Sequence, residues 1–256
     1  MANYENQPRY AASVARGAEA VDAGLRAHMV RVYNYMTGAL AITGLVAWFA
    51  FQAAGGNSIV FGNGEVVGLT AFGQAIFSPM VLLVLFFGTL GLVGFISFRI
   101  SRLQVGTALT LFFAYAGLLG LMLSSIFLVY SGTSIARVFF ITAATFGGMS
   151  LWGYTTRRDL TGIGSFLFMG LIGIVIASLV NIFIGSTAIQ FAISVVGVLV
   201  FTGLTAYDTQ KIKEIYYVGD DGTVAGRKAV MGALSLYLDF INLFLMLLRL
   251  FGNNRS

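Results

Sequence analysis

Two segments decide how this chain is read. They are Phe201-Thr-Gly-Leu-Thr-Ala-Tyr-Asp-Thr-Gln-Lys-Ile-Lys213 and Leu234-Ser-Leu-Tyr-Leu-Asp-Phe-Ile-Asn-Leu-Phe244. Each holds one aspartate, Asp208 or Asp239, in sequence that is otherwise apolar enough for a bilayer. A carboxylate at the centre of a transmembrane helix costs about 2.5 to 3.5 kcal/mol on insertion scales. A chain that carries one in each of two successive segments is expected to use them.

The rest of the chain sets the medium. Its 256 residues are 58% hydrophobic and 10% charged, with mean hydropathy +0.88. Soluble domains carry about 25% charged residues, so this composition predicts a polytopic membrane protein. The apolar runs are continuous, where a transmembrane barrel would alternate over short strands. There is no cysteine, which excludes disulfides and thiolate metal sites, and the one histidine, His28, precedes the first apolar run. A cage of several histidines is excluded and no cofactor is expected. The net charge of +5 is explained by membrane topology and calls for no nucleic acid.

Residues 1–28 are polar and mixed in charge, without an apolar core like that of a signal peptide. They are expected to form a soluble, partly disordered tail, with a short helix near Ser13–Arg26. A transmembrane domain over 29–252 and a short tail over 253–256 follow. Seven apolar runs are expected to span the membrane: Val30–Ala54, Ser78–Phe98, Val105–Val129, Ala136–Tyr154, Thr161–Ile184, Thr187–Lys211 and Ala229–Phe251. At 1.5 Å per residue each crosses a core of about 30 Å. With the N-terminus inside, twelve of the fifteen lysines and arginines fall in inside segments. Only Arg137, Arg249 and Arg255 fall outside. That asymmetry supports seven spans with the N-terminus in and the C-terminus out. The fold class is therefore an all-α, seven-helix bundle in the lipid bilayer.

Ser235, Asp239 and Asn242 recur at i, i+4 and i+7, one polar stripe on the last span. Such a stripe belongs in the bundle interior. Thr202, Thr205, Asp208 and Thr209 gather on one side of the sixth span, and Tyr237 is expected to pack or hydrogen-bond beside Asp239. If the aspartates meet, both cannot easily ionise; one shared proton would join them and the pair would titrate as a unit. Doubly charged, the pair repels itself and becomes a hard-oxygen site suited to Ca²⁺. The alternative is that the aspartates only bond helices together. The meeting requires either that the sixth helix extend past Lys211 or that the seventh start late, which Gly232 would allow. Arg99 and Arg102 end the second span on the same side and could pair with a carboxylate. Asn181 and Gln190, beside the turn between spans five and six, either face that loop or line an outer vestibule. Recurrent glycines, such as Gly88, Gly91 and Gly94 or Gly117 and Gly120, read as helix packing sites.

The segment Gly203-Leu-Thr-Ala-Tyr-Asp-Thr-Gln-Lys-Ile-Lys213, with Leu234–Phe244 after it, resembles the signatures of the Bax-inhibitor (TMBIM) family. The resemblance is specific over about 200–252; upstream it rests on the seven-span layout. It implies a seven-helix fold with the last helix central and a paired-aspartate pH sensor, here Asp208 and Asp239. In bacterial members it further implies a pH-dependent Ca²⁺ leak. The family's latching arginine would be Arg99 or Arg102. The stretch Glu214–Arg227, with Asp220-Asp-Gly222, is longer and more acidic than the family's minimal turn. Some bacterial relatives are associated with regulating a membrane-bound quality-control protease, which makes such a protease a second expected partner. An intramembrane aspartyl protease would also place Tyr-Asp in a sixth span. It would need Gly-x-Gly-Asp at the second aspartate, where this chain has Leu236-Tyr-Leu-Asp239.

Overall fold

The structure is a computed structural model that describes residues 7–62, 65–253 and 255, with side chains outside the description at 7–21 and 60–66. Among the described residues the helices are α1 (Gln7–Ala53), α2 (Ala71–Ile76), α3 (Pro79–Arg99), α4 (Val105–Leu123), α5 (Ile126–Val129), α6 (Gly132–Thr155), α7 (Thr161–Ile184), α8 (Thr187–Glu214) and α9 (Gly222–Phe251). Seven of these segments, α5 continuing α4, are long and apolar enough to cross a membrane. A two-stranded hairpin, β1 (Val60–Gly62) and β2 (Glu65–Val67), sits in the connection after α1. The tail expected over 1–28 lies partly outside the described residues; within them, α1 is unbroken from Gln7.

Helix starts follow from local chemistry. Ser78, Ser131 and Ser186 cap α3, α6 and α8, each hydroxyl accepting from the backbone N–H three residues on. Pro79 follows its cap at a position where no N–H is needed. Asp221 caps α9, its carboxylate accepting from Thr223 N at 2.8 Å and Val224 N at 2.7 Å. Asp159, in the turn before α7, accepts from Thr161 N at 2.8 Å. Hydrogen bonds from the Thr161 side chain and backbone hold its carboxyl below the usual carboxylate range. Gly185 ends α7 with φ 68°, the left-handed conformation that glycine adopts without strain.

The bundle is built around α9, which packs on α8, α1, α6 and α4. Leu236, Tyr237 and Leu243 on it have no exposed surface. Backbones approach closely where glycine faces a neighbour: Gly153 of α6 meets the Ala206 backbone of α8, and Gly120 of α4 meets the Thr43 carbonyl of α1. Gly88, Gly91, Gly94 and Gly117, read from sequence as packing sites, instead have no neighbour within 4 Å of a notional Cβ. Their spacing specified a helix face without specifying which way that face turns.

The register of α8 against α9 decides whether the aspartates meet. Gly232 lies level with Ile212, and Gly197 with Met246. In that antiparallel register Asp208 and Asp239 are about three residues out of level, roughly 4.5 Å along the axis, which two side chains can span. Of the two routes to a meeting, the first holds: α8 runs on past Lys211 to Glu214. The seventh helix does not start late. It starts at Gly222, earlier than the Ala229 expected, and its first turns overhang the end of α8.

Candidate functional site

Asp239 sits in the middle of α9 and is 6% exposed. Its Oδ2 has no hydrogen-bond partner among the described residues. Asp208 on α8 lines the same groove as Asp239, and its carboxyl is the charged neighbour of that side chain. A buried acceptor without a donor is destabilising by about 1–3 kcal/mol, more when charged. A proton held between the two carboxyl groups would remove that penalty, because a protonated carboxyl is itself a donor.

Both carboxyl groups open onto one groove of about 1240 Å³ between α7, α8 and α9, with Phe86 of α3 at its edge. Ser235, Asp239 and Asn242 line it together, so the stripe expected on the last span faces a cavity. Asn242 donates its Nδ2 to Leu238 O at 2.8 Å. At one end the groove reaches Tyr207, Asp208 and Lys211. At the other it reaches Asn181, Gln190 and Arg249, so the vestibule alternative for Asn181 and Gln190 matches their placement. Asn181 also caps locally, Oδ1 accepting from Ser186 N at 3.1 Å.

Other expected site residues lie elsewhere. Tyr237 is two positions from Asp239 and so points to the opposite face of α9. Its hydroxyl bonds Thr43 Oγ1 of α1 at 2.6 Å, and its ring packs edge-on against Phe112 and Tyr115. Thr205 is fully buried and donates to Phe201 O of its own helix at 2.8 Å. Arg99 and Arg102 are exposed, outside the groove and in no ion pair among the described residues. The helix that ends at Arg99 packs on α4, while the turn Ile100–Arg102 packs on α9, whose Arg227 holds Leu103 O at 2.7 Å. Sequence position placed the arginines at the correct end of the bundle but could not fix their azimuth.

The cation that faces Asp208 is Lys211, one turn along the same helix. Its Nζ lies 5.9 Å from the Tyr207 ring centroid, and that ring fills the space beside Gly164 of α7. The signal was present in the i, i+3 spacing of Asp208 and Lys211, which on a helix makes neighbours.

Seven apolar helices, one of them central, with two carboxyl groups on a shared groove, define an integral multi-pass helical membrane protein. The family model for inhibitor of apoptosis-promoting Bax1 matches residues 25–256, and the chain belongs to that Bax-inhibitor family. It is similar to the inner membrane protein YbhL of Escherichia coli K12, 48% identical over 235 residues, covering 91% of this chain and 94% of YbhL. A Rickettsia prowazekii protein is 48% identical over 236 residues, covering 92% of this chain and 93% of that one. A Caulobacter vibrioides protein is 42% identical over 245 residues, covering 94% of each.

Proposed function

We propose that this chain is a pH-sensitive Ca²⁺ leak of a bacterial inner membrane, with Asp208 and Asp239 as its proton sensor. The observation that carries the reading is the buried, unpartnered Asp239 Oδ2 on a groove of about 1240 Å³ that Asp208 also lines. With one shared proton the pair joins α8 to α9. With none, two negative charges in a low-dielectric setting repel and loosen that contact. The doubly ionised pair, with the oxygens of Ser235 and Asn242 on the same stripe, offers the hard-oxygen donors that Ca²⁺ takes. Lys211 supplies the counter-charge beside Asp208. In the arrangement with the N-terminus inside, the Arg249 end faces out and the aspartates lie toward the inner face. The relative YbhL, by name an inner membrane protein, supports the location.

The test is Ca²⁺ flux into liposomes carrying the purified protein, measured as a function of pH. Flux is expected to rise as pH rises through the titration of the pair. Asp208→Asn and Asp239→Asn should each flatten that profile. An unchanged profile in both variants would sink the reading. Co-purification of a membrane-bound protease, with a phenotype indifferent to both substitutions, would put regulation of that protease in its place. Cleavage of a transmembrane substrate would turn the same dyad into an aspartyl protease.

A further inference from the structure

The turn that joins the two aspartate helices, 215–221, takes no part in the groove. It lies across α1. The Tyr216 hydroxyl occupies the space a Cβ on Gly24 would need. The Tyr216 ring lies against His28, with centroids 5.6 Å apart and planes tilted by 38°. Gly24 and His28 are four residues apart, on one face of α1, and together form a slot for that ring. His28 is 5% exposed, and its Nε2 has no hydrogen-bond partner among the described residues. From α9, Lys228 Nζ donates to Ile215 O at 2.8 Å and pairs with Asp220 at 2.5 Å. That is the one ion pair among the described residues.

We propose that this turn is a strap whose hold on α1 depends on the charge of His28: closed when the imidazole is neutral, released when it takes a proton. The charged groups that face His28 are Arg31 of α1, Lys228 of α9 and Asp220 of the turn. Arg227 turns away to Leu103, and Arg26 lines a groove on another face of α1 with Tyr33 and Ser150. A proton on His28 would thus enter a buried slot beside two cations. The nearby carboxylate, Asp220, is already committed to Lys228. Neutral, the ring packs on Tyr216 with no charge to solvate. Protonated, it gains by turning to water, and the Tyr216 ring loses the wall of its slot. The group is the one side chain whose ordinary titration lies between about pH 5 and 8.

The strap connects α8 directly to α9, so while His28 is neutral it acts as a brake on any sliding of these helices that would separate Asp208 from Asp239. In this respect the inference rests on the leak reading, while strap release itself is observed separately. The chain has no cysteine, so a single nitroxide at Val218→Cys, an exposed position in the turn, reports its mobility by electron paramagnetic resonance. The full-length protein in liposomes is scanned from about pH 8 to 5. The mobile fraction should rise several-fold on acidification. With His28→Phe, which keeps a neutral ring in the slot, the label should stay immobile throughout. With Lys228→Gln, which removes the pin on α9, it should be mobile throughout. Asp208→Asn and Asp239→Asn should leave the response intact. A label indifferent to pH, or a native response in His28→Phe, overturns the strap, as does loss of the response in the aspartate variants. A strap that responds in protein without pH-dependent Ca²⁺ flux upholds the strap and removes the leak.

Discussion

Helices α7 and α9 are both long and apolar, yet the more apolar of the two is the one left outside. The core stretch of α7 has mean hydropathy 2.6 and is 11% buried within the protein; that of α9 has 1.8 and is 72% buried. In water the order would be reversed. In a bilayer the lipid is itself the apolar solvent, so hydrophobicity selects the helix that faces lipid. What selects the central helix is shape and polarity. On α9, Ser235, Asp239 and Asn242 need a surface other than lipid, while Leu236, Tyr237 and Leu243 fill space between four neighbours. On α7, Phe166, Met169, Ile176 and Phe183 are all more than half exposed and need no protein partner.

The comparison breaks most visibly where backbone meets backbone. Gly153 is the contact point of α6 with α8, and a Cβ there would fall on the Ala206 backbone. Gly153→Leu should therefore cost at or above the top of the ~1–3 kcal/mol range for overpacking, because no side chain can rotate away. Gly88→Leu, on open α3 surface, is the control and should change little. Recovery of monodisperse protein after stepwise heating in detergent reads the difference; equal losses at the two glycines would refute the packing described for α6.

A truncation of the same size on the two helices sharpens the contrast further. Leu236 on α9 has no exposed surface, while Leu179 on α7 is 55% exposed. Leu236→Ala leaves a cavity. Its cost should sit near the lower end of the ~2–5 kcal/mol seen for buried leucine, since transfer from lipid to protein interior gains little. Leu179 lies on the open side of the groove, so Leu179→Ala gives up little protein contact and should fall within about 0.5 kcal/mol of zero. Reversible unfolding in mixed detergent micelles measures both. A larger loss at Leu179 would mean that α7, not α9, holds the bundle together.

This inside-out rule also explains what could be read from sequence. The seven spans were legible because length and hydropathy suffice to define a membrane crossing. That the polar stripe of α9 turns inward was legible because a carboxylate on a helical stripe has few other places to go; the central place of α9 was what the family resemblance implied. That Asp208 and Asp239 act as a pair was what the family resemblance implied, and the axial match this needs was not legible. It depends on Gly232 seating against Ile212 and on the overhang of α9 from Gly222, and neither leaves a hydropathy signature. Azimuth was the other hidden variable. Arg99 and Arg102 lie at the expected end of the bundle but away from the groove, whereas Lys211 reaches it from the helix of Asp208 itself. Tyr237 was assigned to the aspartate because it is close in sequence, yet two positions on a helix are about 200° of rotation.

That rotation sets up the smallest effect, and the one most specific to α9. The Tyr237 hydroxyl and Thr43 Oγ1 are joined at 2.6 Å, and Thr43 also lies at 2.9 Å from Ala116 O and 3.0 Å from Ala39 O. The Thr43 hydroxyl has one proton, which a backbone carbonyl takes, so Tyr237 is the donor between the two side chains. Tyr237→Phe then removes a single bond and leaves behind an acceptor but no orphaned donor. About 1 kcal/mol should be lost in unfolding experiments. Thr43→Val should cost more despite deleting a smaller group, because it strands the Tyr237 hydroxyl in a site with no exposed surface. In the double variant Tyr237→Phe with Thr43→Val, part of that penalty should return, since no buried hydroxyl is then left without a partner. Additive losses would mean that the hydroxyl finds another acceptor. The contact between α1 and α9 would then rest on the Phe112, Tyr115 and Tyr237 rings alone.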